Sequence, residues 1–333
     1  MPDERFFGTY ETLSVAEIAA LLGAAASPTN SAAYAISRAA TVTDEDLSDA
    51  VILCSSRDSL EKLGQRDFGL CLTTEKLRAE FDEAKGTVIA VSSPKLAFAM
   101  VTEKLHFSLE EKEPETEHAK LNGADIHSTA FVAASAEIGN SAVIGANSYI
   151  GRGVVVGDDV QIADNVSVTH AIIGARTSIF AGVRIGQAGF GFVPGPNGLV
   201  RVPQLGRVII GEDVEIGANT TIDRGALSDT TIGNCSKIDN LVQIGHNVQI
   251  GANCVIAAQS GVSGSCIIED GAMLGGQVGL ADHLRVGEKA QIAARAGLMR
   301  DVPAGERWGG APARPIRDWL RETAALTKLA KKR

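Results

Sequence analysis

The chain has 333 residues, 36 of them glycine, with 45% hydrophobic residues, only 5% aromatic ones and a formal charge of −9. A chain this apolar can bury a core, so disorder is excluded; glycine without a period of three excludes collagen; and the acidic excess argues against a nucleic-acid partner. No apolar run reaches the ~18 residues of a membrane span, the start MPDERFFGTYETL lacks the apolar centre of a signal peptide, and the five cysteines (Cys54, Cys71, Cys235, Cys254, Cys266) include no CxxC pair. The expectation is a cytoplasmic protein without disulfides.

Residues 1–107 read as a small α/β domain. Ser14 and Glu17 form a capping box ahead of IAALLGAA, which predicts a helix there. AVILCS (50–55) and GTVIAVSS (86–93) read as strands, SLEKLG and TEKLRAEFDEA as helices, and a further helix starts at Pro94. Residues 108–120, SLEEKEPETEHAK, read as a polar, mostly acidic linker.

A repeat then takes over. An aliphatic residue recurs every six positions from Ile126 to Val168, from Ile173 to Ile185, from Ile210 to Ile222 and from Ile232 to Leu298. Six fits neither the helical period nor a two-sided strand. It fits a short strand plus a corner, with Gly, Asn or Asp after the aliphatic residue making the bend. Three units close a triangular turn, so this stretch makes between eight and nine turns of a parallel β-helix, spanning 121–308. The narrow interior holds Ile, Val and Leu and has little room for rings, which accounts for the aromatic deficit.

The repeat breaks between Ile185 and Ile210, where residues 186–208 form a Gly- and Pro-rich insert holding Phe190 and Phe192. Two rings in a ring-poor solenoid point to a binding loop. A shorter insert lies between Ile222 and Ile232. Residues 309–333 form a tail whose apolar positions Ile316, Leu320, Thr323 and Leu326 fall at helical spacing. Its basic residues, among them Arg314, Arg317 and Arg321, stand out on an acidic chain and suit an acidic partner.

Two of the six histidines sit in the longest run. His246 lies two residues after Ile244 and His283 three after Leu280. These aliphatic positions are two full turns apart, so both histidines lie on one side of the prism, about 10 Å apart at ~4.8 Å per strand. That spacing suits two groups on one extended ligand and is too long for a shared metal. Asp239, Asn240, Gln243 and Asn247 surround His246 in sequence, and a neutral imidazole can take a proton near pH 7.

The words VPQLGRVIIGEDVEIGANTTID (202–223), TTIDRGAL (220–227), DNLVQIGHNVQIG (239–251) and GGAPARP (309–315) resemble the UDP-3-O-acylglucosamine N-acyltransferases of lipid A biosynthesis, a hexapeptide-repeat family. The resemblance implies a mainly β fold, a left-handed parallel β-helix between a small α/β domain and a helical tail, assembled as a homotrimer. It implies transfer of a 3-hydroxyacyl chain from acyl carrier protein to the 2-amine of a UDP-glucosamine acylated at O3, with no cofactor and no metal. His246 matches the family's base, Gly264 its oxyanion donor and His283 its second histidine. Asp239 and Asn240 match positions that could orient the imidazole or the donor, and Gln243, Phe190 and Phe192 positions near the acceptor. Arg314, Arg317 and Arg321 would dock the acidic carrier. The family's Asn-Pro-Lys-Tyr word, which holds uridine, stands here as Cys54-Ser-Ser56-Arg57, leaving Ser56 and Phe98 as the candidate nucleotide contacts. Its Asp-Gly-Phe-Gly word stands as Ala188-Gly189-Phe190-Gly191. Small residues at Ala293, Ala294, Ala296 and Gly297 would leave room for a long acyl chain. The alternatives are an O-acyltransferase acting on UDP-N-acetylglucosamine, a metal enzyme of the carbonic anhydrase type and a non-catalytic solenoid.

Overall fold

The computed structural model describes residues 2–25, 35–82, 84–112, 114–117, 123–311 and 315–330. The first domain is built on a four-stranded parallel sheet, Arg38–Ala40, Ala50–Leu53, Leu70–Thr73 and Thr87–Ala90, in that order. Its strands are apolar because helices cover them. The Val15–Leu22 helix starts at the Ser14–Glu17 capping box and stops at Gly23, whose φ of 60° is the left-handed C-cap conformation. The Pro94–Leu105 helix begins with proline inside its first turn, where no N–H is missed, and buries Phe98 and Val101 in the core.

From Asp125 onward the chain winds through two- to five-residue strands stacked into three parallel sheets. The inner aliphatics meet their counterparts one turn away: Ile144 faces Ile162, Ile222 faces Ile244, and Ile244 faces Val262. The register survives the long insert, since Ile185 faces Ile222 directly. Each coil leaves its inner face uncovered, so stacking supplies the core.

The corners differ from the expectation that one small residue after each aliphatic makes the bend. Positive φ falls at the third residue after the aliphatic, and Asn often holds it: Asn147 at 56°, Asn165 at 58°, Asn219 at 57°, Asn253 at 56°. The glycine just after the aliphatic has another reason. A Cβ on Gly145 would lie 2.6 Å from the Ala163 carbonyl carbon, and one on Gly217 would lie 2.4 Å from the Asn240 nitrogen. Adjacent coils approach too closely there for a side chain. Asp and Asn then tie the coils together, as when Ala146 N–H donates to Asp164 at 2.7 Å.

The insert is more ordered than a loop. Phe192–Gly195 and Gly198–Arg201 pair as an antiparallel hairpin that packs on the Pro94–Leu105 helix. The start of the acidic connector is also structured: His106–Ser108 pairs with Phe7–Thr9, and Leu109–Lys112 is helical. Glu110 accepts from Tyr149 Oη and from Arg152 N–H, fastening this segment to the solenoid. The buried His170 ring sits 5.0 Å from the Phe7 ring, and Arg207 bridges Asp3 and Asp229 at 2.8 and 2.7 Å. One apolar cluster therefore runs from Phe6 to Val302. Trp308, paired with Ile292, ends the prism. The Ile316–Ala330 helix has no buried residue. Among the described residues no helix is long and apolar enough to cross a membrane.

Candidate active site

One sheet positions the site. Arg184–Ala188, Thr221–Arg224, Gln243–Ile244, Gly261–Val262, Gly279–Leu280 and Gly297–Leu298 are consecutive strands of it. Their aliphatics point inward. The outward position changes from Arg184, Thr221 and Gln243 to Gly261, Gly279 and Gly297, and a Cβ on any of those three glycines would meet nothing within 4 Å. The sheet surface is thus bare beyond Gln243. The hairpin overhangs it, and between them opens a cleft of about 920 Å³ that brings together His246, Gly264, His283, Gln243, Phe190 and Phe192. Phe190 is 83% exposed and contacts Phe192 edge-on, with centroids 5.1 Å apart.

His246 is held from three sides. Its Nδ1 lies 3.0 Å from Asn247 Oδ1. The Asn247 amide is itself fixed: Nδ2 donates to the Ser228 carbonyl and hydroxyl, each at 2.8 Å, and Oδ1 also accepts from Ala226 N–H at 3.0 Å. With Oδ1 facing the ring, Nδ1 must be the donor, and Nε2 keeps a lone pair. Gly189, in the insert just before the hairpin, presses on the other side, since a Cβ there would lie 2.4 Å from His246 Cβ. Gly264 lies against Nε2, at which its own Cβ would be 2.6 Å away. Among the described residues no acceptor takes the Gly264 N–H, whereas the matching N–H groups of Ala146, Ala218 and Ala252 are capped by Asp164, Asn240 and Asp270. A base and an uncommitted backbone donor thus stand side by side.

Asp223 and Arg201 in the cleft and Thr221 beside it were not singled out by the sequence. Asp223 is 6% exposed and receives hydrogen bonds from Gln187 Nε2 at 2.8 Å and Gln243 Nε2 at 3.0 Å. Burial pushes its carboxyl above the usual range, against the pull of those amides and the His246 ring. Thr221 donates to Gln243 Oε1, which turns the amide so that Nε2 faces Asp223. Asn247 orients the imidazole. Arg201 lies over the Phe192 ring at 5.6 Å and is the one Lys or Arg among the described residues lining the cleft. The available signal for Asp223 was its place directly after Ile222, a position that glycine holds after Ile144, Ile216 and Ile244 and that an acidic residue holds elsewhere only after Ile238 and Ile268.

Other candidates lie elsewhere. Asp239 and Asn240 do not line the cleft: Asp239 accepts from Asn240 N–H at 2.7 Å and Ala258 N–H at 3.1 Å, and Asn240 accepts from Ala218 N–H at 2.6 Å, so both cap neighbouring coils at another corner. Ser56 caps the Arg57–Leu63 helix, and Phe98 is buried in the core, so neither reaches the cleft. Arg317 and Arg321 are exposed on the tail helix, Arg321 within 3.6 Å of Asp318. Arg314 lies outside the described residues.

Comparison with known proteins agrees with the repeat. Residues 229–264 match the bacterial transferase hexapeptide model. A hexapeptide-repeat domain is present. Residues 122–230 match the GMPPB C-terminal domain model. Curated relatives include proteins from Methylobacterium nodulans, 54% identical over 49% of this chain and 47% of its own, and from Caulobacter sp., 51% identical over 48% of this chain and 47% of its own. Both are named UDP-3-O-acylglucosamine N-acyltransferase. The matches thus span about half the length of each relative. A solved UDP-N-acetylglucosamine acyltransferase from Francisella novicida is 29% identical, with a TM-score of 0.51 over 60% of this chain and 73% of its own. One from Bacteroides fragilis is 26% identical, with a TM-score of 0.51 over 59% and 77%. The hexapeptide domain is a left-handed parallel β-helix like theirs.

Proposed function

We propose that the protein is an N-acyltransferase of lipid A biosynthesis, moving a 3-hydroxyacyl chain from acyl carrier protein to the 2-amine of UDP-3-O-(3-hydroxyacyl)-glucosamine. The observation that carries this reading is the pairing of the His246 Nε2 lone pair with the uncommitted Gly264 N–H, on a chain whose relatives are named for that transfer. The amine nitrogen attacks the thioester carbonyl carbon. As the C–N bond forms, His246 Nε2 takes a proton from nitrogen, and Gly264 N–H donates to the carbonyl oxygen as it becomes negative. Collapse breaks the C–S bond, and the departing sulfur receives the proton held by His246. No cofactor is needed, because the thioester is already activated.

Around this centre, His283 and Arg201 face the acceptor's diphosphate, and the glycine-floored groove takes an acyl chain. A homotrimer is supported by apolar side chains on the outer surface of the coils, with Val255 39%, Met273 46% and Leu241 53% exposed. The tail arginines Arg314, Arg317 and Arg321 serve the acidic carrier protein, and the reaction is cytoplasmic.

His246→Ala tests the reading. With acyl carrier protein thioester and the amine acceptor, the variant should lose transfer by about 10²- to 10⁴-fold, the usual contribution of a positioned base. Its size on gel filtration should not change. Undiminished transfer would overturn the assignment.

A further inference from the structure

Asp223 has no ordinary structural explanation. It is a carboxylate held 94% out of solvent, yet its hydrogen bonds come from two neutral amides, Gln187 and Gln243, rather than from a cation. The adjacent Arg224 is committed elsewhere. Its Nε donates to the Gln204 carbonyl and one terminal nitrogen to the Gly186 carbonyl, each at 2.9 Å, and its carboxylate partner is Glu111, at 3.8 Å. A buried charge without a counter-ion is costly unless a ligand completes it.

The three polar residues come from three neighbouring strands of one sheet. Gln187 stands opposite Asp223, and Gln243 stands opposite Thr221 two residues earlier. Each oxygen of Asp223 takes one amide N–H, so each retains capacity for another donor. The carboxylate opens onto the same cleft as His246. Gln243 lies only three residues before His246, which ties the clamp to the base through a single coil.

We propose that Asp223, clamped by Gln187 and Gln243, is the residue that recognises the acceptor's amine, accepting hydrogen bonds from its N–H groups and aiming the nitrogen between His246 and the thioester. This assignment rests on the acyl-transfer reading above and adds the basis for choosing an amine. As the C–N bond forms, the nitrogen becomes positive until His246 removes its proton. A preorganised carboxylate stabilises that charge and helps only while it exists, which is where binding energy raises rate. The two amides keep the carboxylate in place without neutralising it. A lysine or arginine there would cancel its attraction for the amine.

The test uses the full chain with acyl carrier protein thioester, the amine acceptor, and a 2-deoxy analogue of that acceptor as competitive inhibitor. The analogue has no donor at the reacting position. Asp223→Asn should lower kcat/KM for the amine acceptor about tenfold or more, the scale of a hydrogen bond to a charged group. The inhibition constant of the 2-deoxy analogue should stay within about twofold, because a donor-less ligand gains nothing from the carboxylate. Gln187→Met guards against misfolding, since Gln187 is exposed and the carboxylate remains. It should give a smaller loss, again confined to the amine acceptor. Equal losses for acceptor and analogue in Asp223→Asn, or no loss for either, would overturn the role of Asp223 while leaving the acyl-transfer reading intact. A wild-type enzyme that transfers nothing to the amine acceptor would overturn that reading itself.

Discussion

Asn247 Oδ1 lies 3.0 Å from His246 Nδ1, and Asn247 cannot turn its amide without giving up both hydrogen bonds to Ser228. One residue therefore fixes both the tautomer and the tilt of the ring. Asn247→Ala should lower kcat by about 10²-fold, the lower end of what a positioned base contributes, with a smaller change in acceptor KM. The residue is also a corner with φ of 60°, a conformation asparagine tolerates better than alanine. A stability loss of about 1–2 kcal/mol should accompany the variant in thermal melts. Full activity in Asn247→Ala would show that the ring needs no orienting partner.

Gly264→Ala tests how closely the backbone approaches the base. The glycine does not have positive φ, so alanine meets no backbone strain. Its Cβ would nonetheless sit 2.6 Å from His246 Nε2, closer than a side-chain carbon can lie, so the ring has to move from the place where the acceptor nitrogen meets it. Transfer should fall at least about 10²-fold, comparable to losing an oxyanion donor. The melting temperature should fall as well, because the displaced ring gives up its hydrogen bond to Asn247. A variant that keeps its rate would mean that the amine reaches His246 from another side.

The prism was legible because its cause is periodic. Each Ile or Val at six-residue spacing must face inward, and the pattern identifies every coil independently. The cleft was legible only where a residue type is unusual, as with His246 and His283 or the two rings of the insert. Asp239 and Asn240 looked like partners of His246 by proximity in sequence, but a solenoid sends residues six apart to different corners, and they cap coils instead. Asp223 lies over twenty residues before His246, yet a strand of the same sheet brings it to the same cleft. Distance along this chain measures contact only in multiples of one turn. The hairpin did carry a local signal, Pro196-Asn197-Gly198 at the turn between its two strands, but it was lost among the other glycines and prolines of the insert.

The junction between the first domain and the solenoid should be acid-sensitive. His106 is buried, with Nε2 accepting from Ala39 N–H at 3.1 Å and Nδ1 within 3.4 Å of Thr9 Oγ1. Accepting requires an unprotonated Nε2, and burial pushes the ring down to about 4 from 6.5. Above pH 6.5 the ring is neutral in both folded and unfolded chains and contributes no pH dependence. As pH falls from 6.5 to 4, the unfolded chain binds a proton that the folded one refuses, so stability falls, by on the order of 3 kcal/mol in full. His170, buried against Phe7, is displaced in the same direction. Denaturant melts from pH 7 to pH 4 should show this decline, and His106→Gln should reduce it, leaving the part that His170 contributes. A wild-type curve that is level over that window would contradict the neutral, buried ring.

The glycine floor makes the last prediction, a graded one. Gly261, Gly279 and Gly297 lie on successive strands leading away from Gln243, at ~4.8 Å intervals. If the acyl chain runs over them, each position meets a different depth of the chain. Leucine at 297 should leave transfer of short chains unchanged and penalise long ones, at ~0.8 kcal/mol for each methylene that loses its place. Leucine at 279 should move that cutoff to shorter chains, and leucine at 261, nearest His246, should penalise every chain length tested. None of the three has positive φ, so the substitutions carry no backbone cost. An acyl-length series on the three variants reads the direction of the chain as well as its limit. An identical length profile in all three would place the acyl chain off this sheet.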